Sequence, residues 1–157
     1  MQRVPLTPAG FQKLQEELER LLKVDRPKNI QAIAEARAHG DLSENAEYHA
    51  AKDRQGMIHA RIKYLEDVLS RGEVIDPSKL SGDTVKFGAT VALLNVETDE
   101  EVAYQIVGPE ESDLEQGRIS VSSPLARGLI GRQVGDEVTI KLPSGTRVYE
   151  IQEIAYV

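Results

Sequence analysis

The sequence contains no cysteine and no tryptophan, and only two of its 157 residues are phenylalanine. The absence of cysteine excludes a disulfide framework, a thiolate metal site and a cysteine nucleophile. The shortage of large aromatic side chains argues against a surface on which nucleic-acid bases stack. The first residues, MQRVPLTPAG, lack the apolar run of a signal peptide, and no stretch approaches the ~20 apolar residues that span a bilayer. We therefore expect a soluble, cytoplasmic protein that does not bind membranes.

The charged residues are distributed unevenly between the two halves of the chain. Residues 1–75 hold 12 basic and 12 acidic side chains, whereas residues 76–157 hold 7 and 14, so the second half carries the entire net charge of −7. An acidic chain gains little from the phosphate electrostatics that drive binding to free DNA. Any nucleic acid that it meets is therefore expected to be presented by another protein.

The first half has the apolar spacing of two long helices. Thr7 is suited to cap the first helix, with Pro8 at its first position. One apolar series follows this cap and a second lies near the end of the half, both with intervals of three and four residues: Phe11, Leu14, Leu18 and Leu21, then Ile58, Ile62, Leu65 and Leu69. Because the two series mirror each other about Gly40, they predict an antiparallel two-helix coiled coil over residues 1–75, with its tip at 39–44.

The predicted helices change character along their length. Alanine is concentrated toward the tip, which predicts a slender end with little apolar burial. Pro27 lies inside the first helix and cannot donate a hydrogen bond to the carbonyl of Lys23, so we expect a bend or a local break there.

Residues 76–157 have the pattern of a small sheet domain. Short β-rich runs are separated by turn-forming residues, and they occur at residues 84–87, 90–95, 102–107, 119–121, 137–142 and 148–154. Ser123 and Pro124 have the arrangement of a helix cap and a first helical residue. The second half is therefore predicted to be a compact α+β domain with a mostly antiparallel sheet.

Acidic residues are concentrated at the predicted tip, in the stretch GDLSENAEY at residues 40–48. Asp41 or Ser43 is suited to cap the second helix, with Glu44 as an acidic member of a capping box, and capping is the common role of such residues. Alternatively, Asp41 and Glu44 form part of a metal site, because Mg²⁺ often takes one or two protein carboxylates and completes its shell with water and phosphates. Two carboxylates alone hold the ion weakly, so another site would have to supply the remaining ligands.

Two further residues adjoin the acids. Asn45, like Ser43, is expected to support the tip through capping and hydrogen bonds. Tyr48 follows one helical turn later and is expected to pack against the other helix, with RNA stacking as the alternative.

Several longer stretches carry a specific resemblance. In the first half they are RPKNIQAIAEARAHGDLSENAEYHAAKDRQG and RIKYLEDVLS, and in the second half FGATVALLN, YQIVG and SVSSPLARGLIGRQVGDEV. Together they resemble the bacterial transcript-cleavage factors, the GreA/GreB family of transcription elongation factors, and in particular its GreA type. The match runs along essentially the whole chain, and the tip combined with SPLARGLIG is far more specific than a generic coiled coil.

The resemblance implies a protein that acts on RNA polymerase. In this family the coiled coil enters the secondary channel of the polymerase, and acidic tip residues, which correspond to Asp41 and Glu44, help to hold the second Mg²⁺ of the polymerase active site. The polymerase then cleaves the RNA 3′ segment of a backtracked complex. The chain would thus be an activator and not an enzyme, with no cofactor of its own. It would act as a monomer, with the polymerase and the nascent RNA 3′ end as partners.

The resemblance also assigns roles to residues outside the tip. The basic residues closest to the tip become candidates for guiding the RNA 3′ segment: Arg37, Lys52 and Arg54. A solvated face with helix ion pairs is the competing interpretation of these residues. The C-terminal domain, residues 76–157, is implied to be FKBP-like and to dock on the largest polymerase subunits, with these docking candidates: Ser123, Pro124 and Arg127.

Three other functions remain open from the sequence. An FKBP-type prolyl isomerase or chaperone needs an aromatic-lined pocket, for which the second half offers four aromatic residues: Phe87, Tyr104, Tyr149 and Tyr156. A structural adaptor would use the coiled coil as a dimer seam and would not need the charge of Asp41 and Glu44. A channel-binding inhibitor of the same fold would enter the polymerase without promoting cleavage, and the intact acidic pair weighs against it.

Overall fold

The computed structural model describes residues 2–40 and 45–157 and contains two compact units. The helical unit contains Phe11–Gly72. The sheet unit contains Glu73–Val157 together with Arg3–Gly10. Residues 3–10, which the sequence groups with the helices, therefore belong to the sheet unit.

Three long helical stretches carry most of the first half. They are α1 (Pro8–Arg20), α2 (Arg26–Ala38) and α3 (Ala46–Arg71). The predicted cap of α1 is confirmed, because the Gly10 amide donates to Thr7 Oγ1 at 3.1 Å. None of the helices in residues 2–40 and 45–157 is both long and apolar enough to cross a membrane.

The helix continues through the region of Pro27 with altered hydrogen bonding. Residues Leu21–Asp25 form one stretch of π-helix, closed by the Arg26 amide donating to the carbonyl of Leu21 five residues earlier. The backbone angles of Asp25 and Arg26 remain helical. The missing N–H of Pro27 is thus accommodated just before the proline by a wider turn, which is a recognised alternative to a break.

Side-chain hydrogen bonds fix the direction of the two helical arms. Arg61 on α3 forms a bidentate pair with Glu17 on α1, at 2.6 and 2.9 Å. Asn29 on α2 donates to the carbonyl of Ala51 on α3 at 2.9 Å. As the residue number rises on one arm it falls on the other, so the arms run antiparallel, as predicted. We refer to α2 and α3 as the helical hairpin.

The apolar seam of the helical unit is thin. Four of the eight residues predicted for it are buried: Leu14, Ile58, Ile62 and Leu65. The other four are only half-buried: Phe11, Leu18, Leu21 and Leu69. Toward the tip the buried positions are taken by one large side chain, Ile33, and by two small ones, Ala36 and Ala51. The other alanines of this end are exposed, so small residues line the seam only in part.

A five-stranded sheet forms the second unit. Its strands are β3 (Thr90–Asn95), β4 (Glu101–Val107), β5 (Arg118–Ser120), β6 (Glu137–Leu142) and β7 (Gly145–Ala155), in the order β5-β4-β3-β7-β6. All neighbours pair antiparallel except β4 and β5. The prediction of a mostly antiparallel sheet is confirmed.

Two short strands and one loop differ from the sequence-based expectation. Val4–Leu6 (β1) and Gly72–Val74 (β2) pair with each other, and neither was predicted. The strand predicted at residues 84–87 is wrong, because that stretch contributes only an isolated bridge between Thr84 and Gln133.

The core of the sheet unit lies between one face of the sheet and the helix α4 (Pro124–Leu129). Its fully buried side chains come from the sheet, α4 and the loop before β3: Val85, Ala89, Val91, Leu93, Ile106, Ala126, Leu129 and Ile151. Gly128 lets α4 approach β6, because an added Cβ would overlap Ile140. This packing decides which residues of SPLARGLIG remain at the surface.

Candidate functional site at the end of the helical hairpin

The acidic residues that define the predicted site, Asp41 and Glu44, lie outside the described residues, as does Ser43. The described chain reaches the site from both sides, at Gly40 and at Asn45. The geometry of these two flanks determines what the hairpin can present at its end.

The C-terminal end of α2 prepares a reversal of the chain. The amides of His39 and Gly40 donate back to the carbonyls of Ala36 and Arg37, at 3.2 and 3.4 Å. Gly40 has a φ of 115°, a region that side-chain-bearing residues rarely adopt. The glycine predicted at the reversal is therefore in a conformation that strongly favours glycine.

Asn45 joins the two arms of the hairpin with one side chain. Its Oδ1 accepts from the Tyr48 amide at 3.0 Å, which makes it the N-cap of α3. Its Nδ2 donates to the carbonyl of Ala36 on α2 at 2.6 Å. The expected cap and hydrogen bonds of Asn45 are confirmed. The alternative in which Asp41 or Ser43 is the N-cap of α3 is wrong, because Asn45 holds that position.

Arg37 and Tyr48 form a second contact between the arms. The Arg37 guanidinium lies over the Tyr48 ring, 5.8 Å from its centroid, an arrangement in which the ring quadrupole attracts the cation. Tyr48 also meets the His49 ring edge-on at 5.7 Å. The prediction that Tyr48 packs against the other helix is confirmed, with Arg37 as its partner.

A groove with a volume of about 280 Å³ runs beside this contact. Its lining combines apolar and basic side chains from both arms: Ile30, Ile33, Ala34, Arg37, Lys52 and Gln55. Lys52 Nζ donates to Gln55 Oε1 at 2.9 Å, so the two share a face of α3. The structure thus brings together Arg37 and Lys52, two of the three basic residues singled out from the sequence.

Arg54 does not join this groove. Residues two positions apart on a helix point about 200° apart, at 3.6 residues per turn, so Arg54 projects from a different face of α3 than Lys52. It is exposed.

The docking candidates lie at the start of α4 in the sheet unit. Ser123 caps the helix by accepting from the Ala126 amide at 3.2 Å, which confirms the predicted cap. Ala126 and Leu129 are buried in the core, whereas Pro124 and Arg127 are exposed. The helix therefore presents Pro124 and Arg127 outward and uses Ser123 to hold its own first turn.

Polar contacts between the arms were missed by the sequence reasoning. Asn29 is buried, with 4% of its surface exposed, and lies in the seam four residues before Ile33. The four-residue interval between Asn29 and Ile33 could have indicated that Asn29 lies in the seam. A buried asparagine in a helix seam specifies the register of the two helices. Arg61, by hydrogen bonding to Glu17, holds the pKa of that carboxyl below its usual range.

Within residues 2–40 and 45–157, no group of three or more His, Asp or Glu side chains is placed to hold a metal ion. Next to the tip, the described residues supply the Asn45 link between the arms and the positive charges of Arg37 and Lys52.

Two family models match the chain and together cover nearly all of it. The model described as "Transcription elongation factor, N-terminal" matches residues 4–74. The model described as "Transcription elongation factor, GreA/GreB, C-term" matches residues 80–156. Both halves of the chain are thus matched in the order in which the family carries them.

Curated relatives match over their full length. Transcription elongation factor GreA of Rhodospirillum rubrum is 57% identical over 156 residues, which are 99% of each chain. Its namesake from Brucella anthropi is 57% identical over 157 residues, which are 100% of each chain. Among solved structures, the crystal structure of GreA factor homolog 1 of Thermus thermophilus is 30% identical and covers 98% of this chain and 99% of that one, with a TM-score of 0.45.

Proposed function

This chain belongs to the GreA/GreB family of transcription elongation factors, and on that premise we propose that it rescues backtracked RNA polymerase by placing the tip of its helical hairpin in the secondary channel. It is a transcription elongation factor, and RNA polymerase is its partner. The proposal adds that the polymerase performs the cleavage of the RNA 3′ end and that this chain stimulates it.

The main structural support for this proposal is that Asn45 is the N-cap of α3. Asp41 and Glu44 have a common alternative role, which is to cap the helix that follows them. Asn45 takes that role through its bond from the Tyr48 amide. Since Asn45 caps α3, neither acid is needed for that role, and we assign the acidic pair to ligand binding.

The two carboxylates suit a magnesium ion that is bound mainly by another protein. Mg²⁺ takes oxygen ligands, keeps several waters and commonly uses only one or two protein carboxylates together with phosphates. When bound, the ion activates water and offsets negative charge on the phosphate that is attacked. Asp41 and Glu44 would add carboxylate oxygens to the ion that the polymerase already holds, and this chain needs no cofactor of its own.

Arg37 and Lys52 are assigned to the RNA 3′ segment. Both line one groove beside the tip, and their positive charge attracts the phosphates of a single strand. Arg54 is left out of this role because it projects from another face of α3.

The exposed start of α4 is assigned to docking on the polymerase. Pro124 and Arg127 face outward from a short helix whose other side is locked into the core. Arg127 places a positive charge on the surface of a domain whose net charge is negative. Ser123 would contribute to docking indirectly, because its cap holds the first turn of α4.

Two finer features of the fold belong to the same proposal. We infer that the hairpin arms pack as a coiled coil, since the buried Asn29, Ile33 and Ala36 follow one another at intervals of four and three residues. We also infer an FKBP-like arrangement in the sheet unit, supported by its mostly antiparallel sheet with α4 packed on one face.

The prolyl-isomerase alternative is disfavoured by the placement of the aromatic residues. Tyr149 is buried in the core of the sheet unit. The other three aromatic candidates are partly buried and pack against that core: Phe87, Tyr104 and Tyr156. Tyr156 also donates its hydroxyl to the carbonyl of Thr84 at 2.6 Å. These side chains are used to build the domain.

The test is RNA cleavage in a stalled, backtracked polymerase complex with end-labelled RNA. Asp41→Asn and Glu44→Gln remove charge while keeping size, and each should lower the stimulated cleavage rate by about 100-fold or more, because a lost metal ligand affects activity at least as strongly as a lost supporting residue. Glu47→Gln, an exposed acid in the first turn of α3, is the matched control and should cleave like the parent.

Binding must be measured in the same complexes. The proposal expects the Asp41 and Glu44 variants to bind polymerase as the parent does. Parent-like cleavage by both variants would overturn the assignment of the acids. Tight binding by the parent chain without any stimulated cleavage would favour the channel-binding inhibitor.

A further inference from the structure

We propose that Asn45 is a positioning residue for the tip acids, acting through its hydrogen bond to Ala36 as well as through its cap. This inference rests on the proposed function, since it concerns how the acidic pair is held for the shared metal. Asn45 follows Glu44 directly in the sequence, and Ala36 lies on the arm that leads to Asp41.

The two hydrogen bonds of Asn45 stabilise different parts of the hairpin. The bond from the Tyr48 amide to Oδ1 satisfies a free amide at the start of α3, so it stabilises that helix alone. The bond from Nδ2 to the carbonyl of Ala36, at 2.6 Å, joins α3 to the last turn of α2. It therefore fixes the separation of the two points between which the acidic residues are connected.

Apolar packing is too sparse near the tip to fix that separation. The buried side chains closest to the tip are Ala36 and Ala51, whose small size gives little contact area. Arg37 over Tyr48 adds a contact between the arms, but Arg37 is exposed to solvent. Among the described residues at this end of the hairpin, the bond from Asn45 to Ala36 supplies a short, directional link.

The requirement for such a link follows from the chemistry. Ligands and their supporting groups need to be held within a fraction of an ångström, and loss of a supporting group commonly costs about 10–100-fold in metal affinity or activity. A serine at position 45 would retain the cap, because serine and asparagine are comparable N-caps. Its shorter side chain would not reach Ala36 while capping.

Asn29 offers a matched comparison within the same helical hairpin. Like Asn45, it donates its side-chain amide to a main-chain carbonyl of the opposite arm, at 2.9 Å from Ala51. Unlike Asn45, it is buried and lies more than one helical turn away from the tip. Replacing it removes an inter-helix bond without altering the flanks of the acidic residues.

The experiment compares Asn45→Ser, Asn29→Ala and Asp41→Asn in backtracked polymerase complexes. Each variant is assayed at saturating factor over a range of Mg²⁺ concentrations, and its unfolding temperature is measured by circular dichroism. Asn45→Ser should melt near the parent, yet its maximal cleavage rate should fall by about 10–100-fold and its half-maximal Mg²⁺ concentration should rise. Asn29→Ala should melt several degrees lower and cleave at the parent rate below its melting range.

Each other outcome has a defined meaning. If Asp41→Asn loses cleavage while Asn45→Ser cleaves like the parent at every Mg²⁺ concentration, the positioning role is overturned and the proposed function stands. If Asn29→Ala loses as much activity as Asn45→Ser, the effect is general destabilisation, and the positioning role is again overturned. If Asp41→Asn cleaves like the parent, the proposed function itself fails.

Discussion

The two units of this molecule differ in how they are held together. In the sheet unit, many side chains from the sheet, α4 and the loop before β3 are completely buried around one core. In the helical unit, Leu65 alone among the described residues is completely buried, and most of its seam is a single apolar row. A pair of helices encloses little volume, so its apolar burial stays small for its length.

The difference shows why polar contacts recur between the arms. Asn29, Asn45 and the Glu17–Arg61 pair each link opposite arms, at intervals along the helical unit. Such contacts add modest stability but strong directional preference, which sets the register. The sheet unit obtains the same definition from close packing and strand pairing.

The largest expected effect is loss of a core side chain in the sheet unit. Leu129→Ala removes a completely buried side chain of α4 and should lower the free energy of unfolding by about 2–5 kcal/mol, because a cavity is left against the sheet. Leu114→Ala, at a site that is 73% exposed, is the control and should be nearly neutral. Amide hydrogen exchange resolved by residue checks whether the loss falls on the sheet unit; protection unchanged there would contradict a single tightly packed core.

An intermediate effect is expected within the sheet unit, where the first turn of α1 contacts Glu111. Glu111 accepts from the amide and hydroxyl of Thr7 and from the Gly108 amide, so its carboxylate is fixed. A Cβ at residue 10 would overlap that carboxylate. Gly10→Ala should therefore destabilise the protein by about 1–3 kcal/mol, measured by urea unfolding.

The Glu111→Ala background tests the cause of this effect. Once the carboxylate is absent, Gly10→Ala should stabilise the protein by up to about 1 kcal/mol, since alanine is the better helix former. An equal destabilisation in both backgrounds would show that Glu111 is not the obstacle.

The smallest expected effect concerns the ion pair between the helical arms. Hydrogen bonding from Arg61 lowers the pKa of Glu17 in the folded protein. A carboxyl whose pKa is lowered by folding adds stability above its unfolded pKa and loses that contribution as pH falls through the folded value. Glu17→Gln should therefore cost about 0.2–1 kcal/mol at pH 7, reduced by solvent screening because both side chains are more than one-third exposed.

The same difference should disappear in acid. As pH falls below the ordinary carboxyl value of 4.5, the parent loses the contribution of Glu17 and the variant does not, so their unfolding free energies should converge. Glu66→Gln, an exposed acid on α3, is the control. A stability difference that stays constant across this pH range would contradict the ion pair.

Regular patterns made much of the fold predictable. β3 and β6 have the bounds that their residue types indicated, because a strand with one buried face leaves an alternating pattern in the sequence. The caps at Thr7 and Ser123 and the reversal at Gly40 also followed from local chemistry. These features depend on neighbouring residues alone.

The remainder depended on contacts between distant segments. β1 and β2 are three residues long, which is too short for a pattern, and they pair across the whole helical stretch. Asp41, Ser43 and Asn45 are all of residue types that cap helices, so the sequence alone did not single out Asn45, whose bond to Ala36 joins it to a distant part of the chain. The sequence did not show whether Arg54 lies on the same side of α3 as the other basic residues. The groove lined by Arg37 and Lys52 answers this question.

The most direct test of the account asks whether the sheet unit is needed for binding to the polymerase while the tip of the helical hairpin is needed for RNA cleavage. A chain carrying both Asp41→Asn and Glu44→Gln is added in excess to backtracked polymerase that is being cleaved with the parent factor, and the rate of RNA shortening is followed. The account predicts that this variant occupies the polymerase, promotes no cleavage and suppresses the activity of the parent, and that adding Arg127→Glu to it weakens the suppression. Cleavage at the parent rate by the double variant alone would contradict the account.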